Sequence, residues 1–93
     1  MSAFVLVEVN IQDPVVYEEY KKLTPVSVEA YGGKLVIRGN PVQVMEGEWN
    51  YDRMVLLEFP TKEIAIEWYN SKEYQKAKKI REKAASANFF IVD

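Results

Sequence analysis

The protein has 93 residues, of which 48% are hydrophobic and 28% are charged, and its formal net charge is −2. This length and composition predict one folded domain over residues 1–93. The chain has no histidine and no cysteine, which excludes disulfides, thiolate nucleophiles, imidazole bases and the usual zinc ligands. The slightly acidic balance offers no field that would attract nucleic acid or an anionic membrane. We therefore expect no metal, no cofactor, and no nucleic-acid or membrane partner.

The first third of the chain predicts a strand followed by a helix. A valine-rich strand is expected from Ala3 to about Ile11. Its apolar run is short, is interrupted by Glu8 and has no preceding basic residues, so it does not resemble a targeting signal. We therefore expect a soluble, cytoplasmic protein. Asp13-Pro14 combines a capping side chain with proline at the first helical position, and Pro25 is expected to kink or interrupt the helix. Gly32-Gly33 ends it.

The middle of the chain predicts two further strands. Residues Lys34–Arg38 alternate between the two faces of a strand, and Gly39-Asn40-Pro41 then indicates a bulge on an edge strand. Alternation resumes over Val42–Glu46. After a hairpin loop over Gly47–Tyr51, a third strand is expected over Arg53–Phe59.

The last third predicts two helical segments and a final strand. Thr61 is placed to cap the first segment, and Ser71 to cap a second that runs to about Ala85. A short strand over Phe89–Val92 ends the chain. The order β-α-β-β-α-β predicts an α+β, ferredoxin-like fold, in which a four-stranded antiparallel sheet carries both helices on one face.

The face of the sheet away from the helices is expected to be largely apolar. Strict alternation turns Val5, Val7, Leu35, Ile37, Val55 and Leu57 toward the helices, and Phe4, Leu6, Glu8, Val36, Arg38, Met54, Leu56 and Glu58 toward the other side. Such a face is too apolar to remain in water. A homodimer that packs two sheets face to face is the simplest arrangement.

Three charged residues interrupt this apolar face and are the candidate catalytic groups: Glu8, Arg38 and Glu58. Polar groups within an apolar cavity are typical of a small-ligand site, where a carboxylate could act as acid or base. The alternative is that they form ion pairs that align the two subunits.

Aromatic and basic residues supply candidate ligand-binding groups. Tyrosine and tryptophan can wall a pocket and donate one hydrogen bond, although at helical spacing they can equally form core. An arginine could hold an anionic oxygen. The lysine-rich last helix is interpreted as a solvated face, apart from one arginine placed to turn inward. The candidates are Tyr17, Arg53, Trp68, Tyr69, Tyr74 and Arg81.

Several short motifs, in this order and spacing, resemble the family called domain of unknown function 1330. They are Tyr31-Gly32-Gly33-Lys34, Arg38-Gly39, Glu46-Gly47-Glu48-Trp49, Glu58-Phe59-Pro60 and Trp68-Tyr69-Asn70-Ser71-Lys72-Glu73-Tyr74. The resemblance covers essentially the whole chain. It implies the dimeric α+β barrel superfamily, whose members include cofactor-independent monooxygenases, small lactone isomerases, haem-handling enzymes and ligand-sensing domains. The absence of histidine disfavours the haem-handling branch.

Two hypotheses follow for the function. In the first, the protein is a cofactor-independent enzyme, of oxygenase or isomerase type, acting on a small organic substrate. In the second, it is a non-catalytic dimer that binds a ligand or has a structural role.

Overall fold

A computed structural model of the protein describes residues 2–93. Its elements are β1 (Ala3–Ile11), α1 (Pro14–Ala30), β2 (Lys34–Arg38), β3 (Arg53–Phe59), α2 (Lys62–Tyr69), α3 (Lys72–Ala84) and β4 (Ala85–Val92). The strands form one antiparallel sheet in the order β2-β3-β1-β4. The predicted α+β, ferredoxin-like fold is confirmed. The predicted domain begins at Met1, which lies outside the described residues.

The three helices begin at the residues that the sequence predicts. Asp13, Thr61 and Ser71 each accept hydrogen bonds from backbone N–H groups of the first turn that follows them. Ser71 also donates from its hydroxyl to the carbonyl of Trp68 at 2.6 Å, which joins the end of α2 to the start of α3.

Helix α1 continues through Pro25, so the alternative of an interruption at this proline is wrong. The turns after the proline are held by tertiary packing. Val28 is fully buried, and the buried Ser27 hydroxyl accepts a hydrogen bond from the Trp68 indole N–H at 3.1 Å. These contacts offset the hydrogen bond that proline cannot donate.

Two predictions about the strands are wrong: one expected strand is absent, and another begins earlier than expected. Residues 39–52 contain neither helix nor strand, so the strand expected over Val42–Glu46 does not form. This segment leaves β2 at the outer edge of the sheet, where no neighbouring strand is available for pairing. At the other end, β4 begins at Ala85 rather than Phe89 because its first residues pair with the whole second half of β1.

A β-bulge in β2 reverses the side of the sheet on which the side chains of its last residues lie. Leu35 pairs with Leu57, but Ile37 pairs with Leu56, so that Val36 is the extra residue. Arg38 then pairs with Val55 and lies on the helix side of the sheet. The predictions that Arg38 shares the open face with the glutamates, and that Ile37 faces the helices, are therefore wrong, because strict alternation does not hold across the bulge.

The core lies between the helices and the inner face of the sheet. Ala3, Val5, Val7 and Val9 of β1 all turn toward the helices and are at most 4% exposed. No helix within residues 2–93 has the length and apolar character needed to cross a membrane.

Candidate functional site

A cavity of about 300 Å³ opens between α1 and the inner face of the sheet. Most of its wall is apolar, and the polar groups converge from α1, from the end of β2 and from the start of β3. The lining residues are Val7, Val9, Tyr17, Tyr20, Lys21, Thr24, Pro25, Leu35, Arg38, Arg53, Val55, Leu57 and Phe89. An apolar cavity with a few converging polar groups is the usual form of a small-molecule site.

The Arg53 side chain is held against the cavity wall. Its guanidinium carbon lies 5.8 Å from the centre of the Tyr17 ring, a cation–π distance. On another side it contacts Gly39, where a Cβ atom would lie only 2.5 Å from the guanidinium carbon. Its Nε is buried and has no hydrogen-bond partner among residues 2–93. The group is therefore positioned but not saturated with hydrogen bonds.

The cavity has a positive lining although the chain as a whole is acidic. Its charged residues are Lys21, Arg38 and Arg53, and no acidic side chain lines it within the described part of the chain. Lys21 is paired with Glu18 at 3.1 Å, whereas neither arginine forms a salt bridge to another described residue. The net charge is −2, so this is a local concentration of positive charge.

The tyrosines of the cavity are neutral hydroxyl groups at neutral pH. Burial raises the pKa of Tyr17 to about 12, against the opposing effect of the nearby charges of Arg53 and Arg81. Burial also raises the pKa of Tyr20, whose hydroxyl lies 2.9 Å from that of Tyr74. Raised pKa values make these groups hydrogen-bond donors and poor general bases.

Arg81 turns inward from α3 and is only 6% exposed. Its guanidinium carbon lies 5.1 Å from the centre of the Phe89 ring, and its Nε has no hydrogen-bond partner in the described residues. Arg81 does not line the cavity, but it contacts Phe89, which does, and its charge acts on the lining residue Tyr17. Its charge adds to the positive potential there.

The other predicted aromatic candidates, Trp68, Tyr69 and Tyr74, do not line this cavity. Trp68 and Tyr74 are fully buried, and their ring centres are 4.3 Å apart. Trp68 and Tyr69 line a second cavity of about 300 Å³ between α2 and the sheet, which has no charged residue in its described lining. Tyr17 and Arg53 are therefore together in the first cavity, and Trp68 and Tyr69 are together in the second.

The predicted catalytic residues are not brought together. Glu8 lies on the open face of the sheet, where the Asn88 amide donates to it at 3.5 Å and to the Tyr51 hydroxyl at 3.3 Å. Glu58 is on the same face, between Phe4 and Lys34 of the neighbouring strands. Arg38 is on the opposite side of the sheet, in the cavity lining.

Sequence reasoning missed part of the cavity lining, although a signal for it exists. Tyr17, Tyr20, Lys21 and Thr24 have the spacing i, i+3, i+4, i+7 and so form one face of α1. This periodicity places the four side chains on one face of α1, toward the sheet, but it does not distinguish a cavity from a filled core. No group of three or more acidic side chains that could hold a metal ion is found within residues 2–93.

Comparison with a family model decides the family. The model described as "Domain of unknown function (DUF1330)" matches residues 2–93. The chain belongs to this DUF1330 family. None of the curated proteins has significant similarity to the sequence.

Solved structures with the same fold include proteins of low sequence identity. A protein of unknown function from Rhodopseudomonas palustris is 20% identical, with a TM-score of 0.78 over 98% of this chain and 80% of that one. A dimeric protein of unknown function and ferredoxin-like fold from Bacteroides fragilis is 12% identical, with a TM-score of 0.61 over 99% and 95%. SnoaB, a cofactor-independent oxygenase from Streptomyces nogalater, is 5% identical, with a TM-score of 0.66 over 99% and 91%. At such low sequence identities, these comparisons show that the DUF1330 chain has the same fold as these proteins, and they show no more than the fold.

Proposed function

We propose that this DUF1330 protein is a homodimeric small-molecule-binding protein whose ligand occupies the cavity between α1 and the sheet. The observation that carries the proposal is the cavity itself. Its volume of about 300 Å³ and its apolar wall with converging polar groups are suited to a small organic ligand. A site of this volume is at the lower end of the usual range, about 300–1,000 Å³, which favours a compact ligand.

A cavity-filling variant tests this proposal. Val55 lines the cavity and is half-buried, so Val55→Phe places a ring in the space that the ligand would occupy. A panel of small aromatic and branched aliphatic compounds is titrated by ligand-detected NMR. Some of these compounds should bind the unmutated protein, and the Val55→Phe variant should no longer bind them. Val15→Phe on α1 is the matched control, because Val15 is 79% exposed and does not line the cavity. Absence of any binder, or equal binding by Val55→Phe, would contradict the proposal.

The homodimer is supported by the open face of the sheet. Val36, Phe90 and Val92 on this side are 49%, 50% and 54% exposed, and Leu6 and Leu56 lie between them on the central strands. A contiguous apolar surface of this kind is typical of an interface. The B. fragilis protein of the same fold is dimeric. We infer that a second copy of the chain covers this face.

Catalysis is a second candidate function, favoured by the positive charges beside the cavity. Arg38 and Arg53 would stabilise negative charge that develops on an oxygen of a bound substrate, which is the requirement of an isomerase or a cofactor-independent oxygenase. SnoaB, which has the same fold, is a cofactor-independent oxygenase. Glu8 and Glu58 face the opposite side of the sheet, so proton transfer by these carboxylates would not occur inside the cavity of one subunit.

An activity assay separates the catalytic protein from the non-catalytic binder. Phenols, quinols and lactones are incubated with the natural sequence and with Arg38→Ala. Turnover that Arg38→Ala abolishes supports an enzyme, whereas ligand binding without turnover supports a binding module.

A further inference from the structure

The two arginines of the cavity lie side by side where β2 ends. Arg38 pairs with Val55 of the neighbouring strand β3. Arg53 is two residues before Val55 in the same strand, so all three side chains share the inner face of the sheet. Arg38 and Arg53 are therefore diagonal neighbours across an antiparallel pair, and residues so placed are typically about 7–8 Å apart, a separation that long side chains can bridge.

This placement depends on two local features of the chain. The bulge at Val36 turns Arg38 toward the helices; without the extra residue it would lie on the open face with Glu8 and Glu58. Gly39 has a φ of 83° and leaves room for the Arg53 guanidinium against the backbone. A side chain at residue 39 would occupy that room.

The charges of the two arginines are not balanced by the described protein. Neither forms a salt bridge within residues 2–93, and no carboxylate lines the cavity there. The buried Nε of Arg53 has no hydrogen-bond partner in that range, and the same is true of Arg81 behind the Phe89 ring. Arg38 is exposed and Arg53 is half-buried, so an anion that enters the cavity would meet two guanidinium groups that no described carboxylate already occupies.

We propose that the cavity binds a small organic carboxylate, with its two oxygens held by Arg38 and Arg53 and its apolar body against Val7, Leu57 and Phe89. This inference rests on the proposed function, and it adds the class of ligand. Guanidinium groups present paired N–H donors that match the geometry of a carboxylate. The Tyr17 ring lies beside the Arg53 guanidinium, and its neutral hydroxyl adds no negative charge that would repel the carboxylate.

A pair of probes that differ only in charge tests the ligand class. Benzoate and benzamide have nearly the same shape, and only benzoate is an anion at neutral pH. Ligand-detected NMR titration should show benzoate binding more tightly than benzamide, and added salt should weaken benzoate alone. Equal affinities for the two probes in the natural sequence would overturn the carboxylate proposal while leaving the proposed cavity site intact. If neither probe binds, the carboxylate proposal is overturned, whereas the cavity site itself is decided by the compound panel and the Val55→Phe variant.

Charge-removing variants locate the binding groups. Arg53→Gln and Arg38→Gln should each weaken benzoate binding by about tenfold or more, the usual effect of losing a charge-assisted hydrogen bond. Both should weaken benzamide binding much less than benzoate binding, because the amide carries no charge, and unchanged circular dichroism spectra would show that the variants are folded. Lys62→Gln, an exposed change at the start of α2 that removes the same charge, is the matched control and should bind benzoate normally. Equal loss of both probes, or loss of benzoate affinity in Lys62→Gln, would overturn the assignment to these arginines.

Discussion

The hydroxyl groups of Tyr20 and Tyr74 form the buried hydrogen bond that connects α1 with α3. They lie 2.9 Å apart, and both side chains are at most 6% exposed. One hydroxyl must donate and the other accept. The pair therefore fixes the spacing of the two helices behind the cavity, and burial keeps both hydroxyls protonated.

Removing one hydroxyl of this pair should cost stability because the other is then buried without a partner. Tyr74→Phe is expected to lower the free energy of unfolding by about 1–2 kcal/mol. In the double variant Tyr20→Phe/Tyr74→Phe no orphaned hydroxyl remains, so its loss should be smaller than the sum of the two single losses. Urea unfolding of the four proteins measures this. Strictly additive losses would show that the hydroxyls are not coupled.

The raised pKa of Tyr17 predicts that the free energy of unfolding decreases at alkaline pH. Its pKa is 10.0 in the unfolded chain and about 12 in the fold, mainly because burial disfavours the phenolate. The folded protein therefore retains the proton more strongly than the unfolded chain does. This contribution to stability is complete below pH 10 and is lost as the pH rises toward 12.

The Tyr17→Phe variant should have a shallower fall of unfolding free energy across this pH window. Denaturant midpoints measured at neutral pH and through the alkaline range give the two slopes. A fall of the same steepness in the variant would assign the alkaline loss to other groups, such as Tyr20 and Tyr74.

At the scale of elements, the end of β2 is the segment on which the site depends. Gly39→Ala should destabilise the protein for two reasons. The positive φ at this residue costs about 1–2 kcal/mol for a residue with a side chain. The new Cβ would also collide with the Arg53 guanidinium.

Gly47→Ala is the matched control for the backbone cost. Gly47 has a similar φ of 90°, but a Cβ there meets no described atom within 4 Å. Urea unfolding should show a larger loss for Gly39→Ala than for Gly47→Ala, and the difference should disappear in an Arg53→Ala background. A difference that persists without Arg53 would contradict the contact.

The same elements show how far the sequence predicts the structure. The helix starts at Asp13, Thr61 and Ser71 were predicted because a cap bonds to residues two or three positions away, so local sequence contains the whole interaction. The bulge at Val36 was not located, because the position of an extra residue is decided by pairing with β3. That single register shift moved Arg38 from the expected cluster with the glutamates to the cavity.

At the scale of the whole molecule, the open face of the sheet predicts a dimer. Leu56 lies on the central strand β3, opposite Leu6, and turns away from the helices. Leu56→Lys would place a charge without a partner in the interface and should convert the dimer to a monomer. Val15→Lys on the exposed surface of α1 is the control and should remain dimeric.

Sedimentation equilibrium of the unmutated protein, Leu56→Lys and Val15→Lys measures this change in mass.

The sequence predicted that the open face of the sheet is apolar, since most of that face follows from alternation in β1 and β3. It could not predict the cavity on the other side, because empty volume depends on how α1 packs over the sheet rather than on any local pattern.

The most direct test of the central claim is amide chemical-shift mapping of the protein titrated with benzoate. If the cavity between α1 and the sheet is the ligand site, the shifts should concentrate at Val7, Tyr17, Arg53 and Val55, on the helix side of the sheet. Shifts confined to the open face, around Leu6, Leu56 and Phe90, or no shifts at all, would contradict the account.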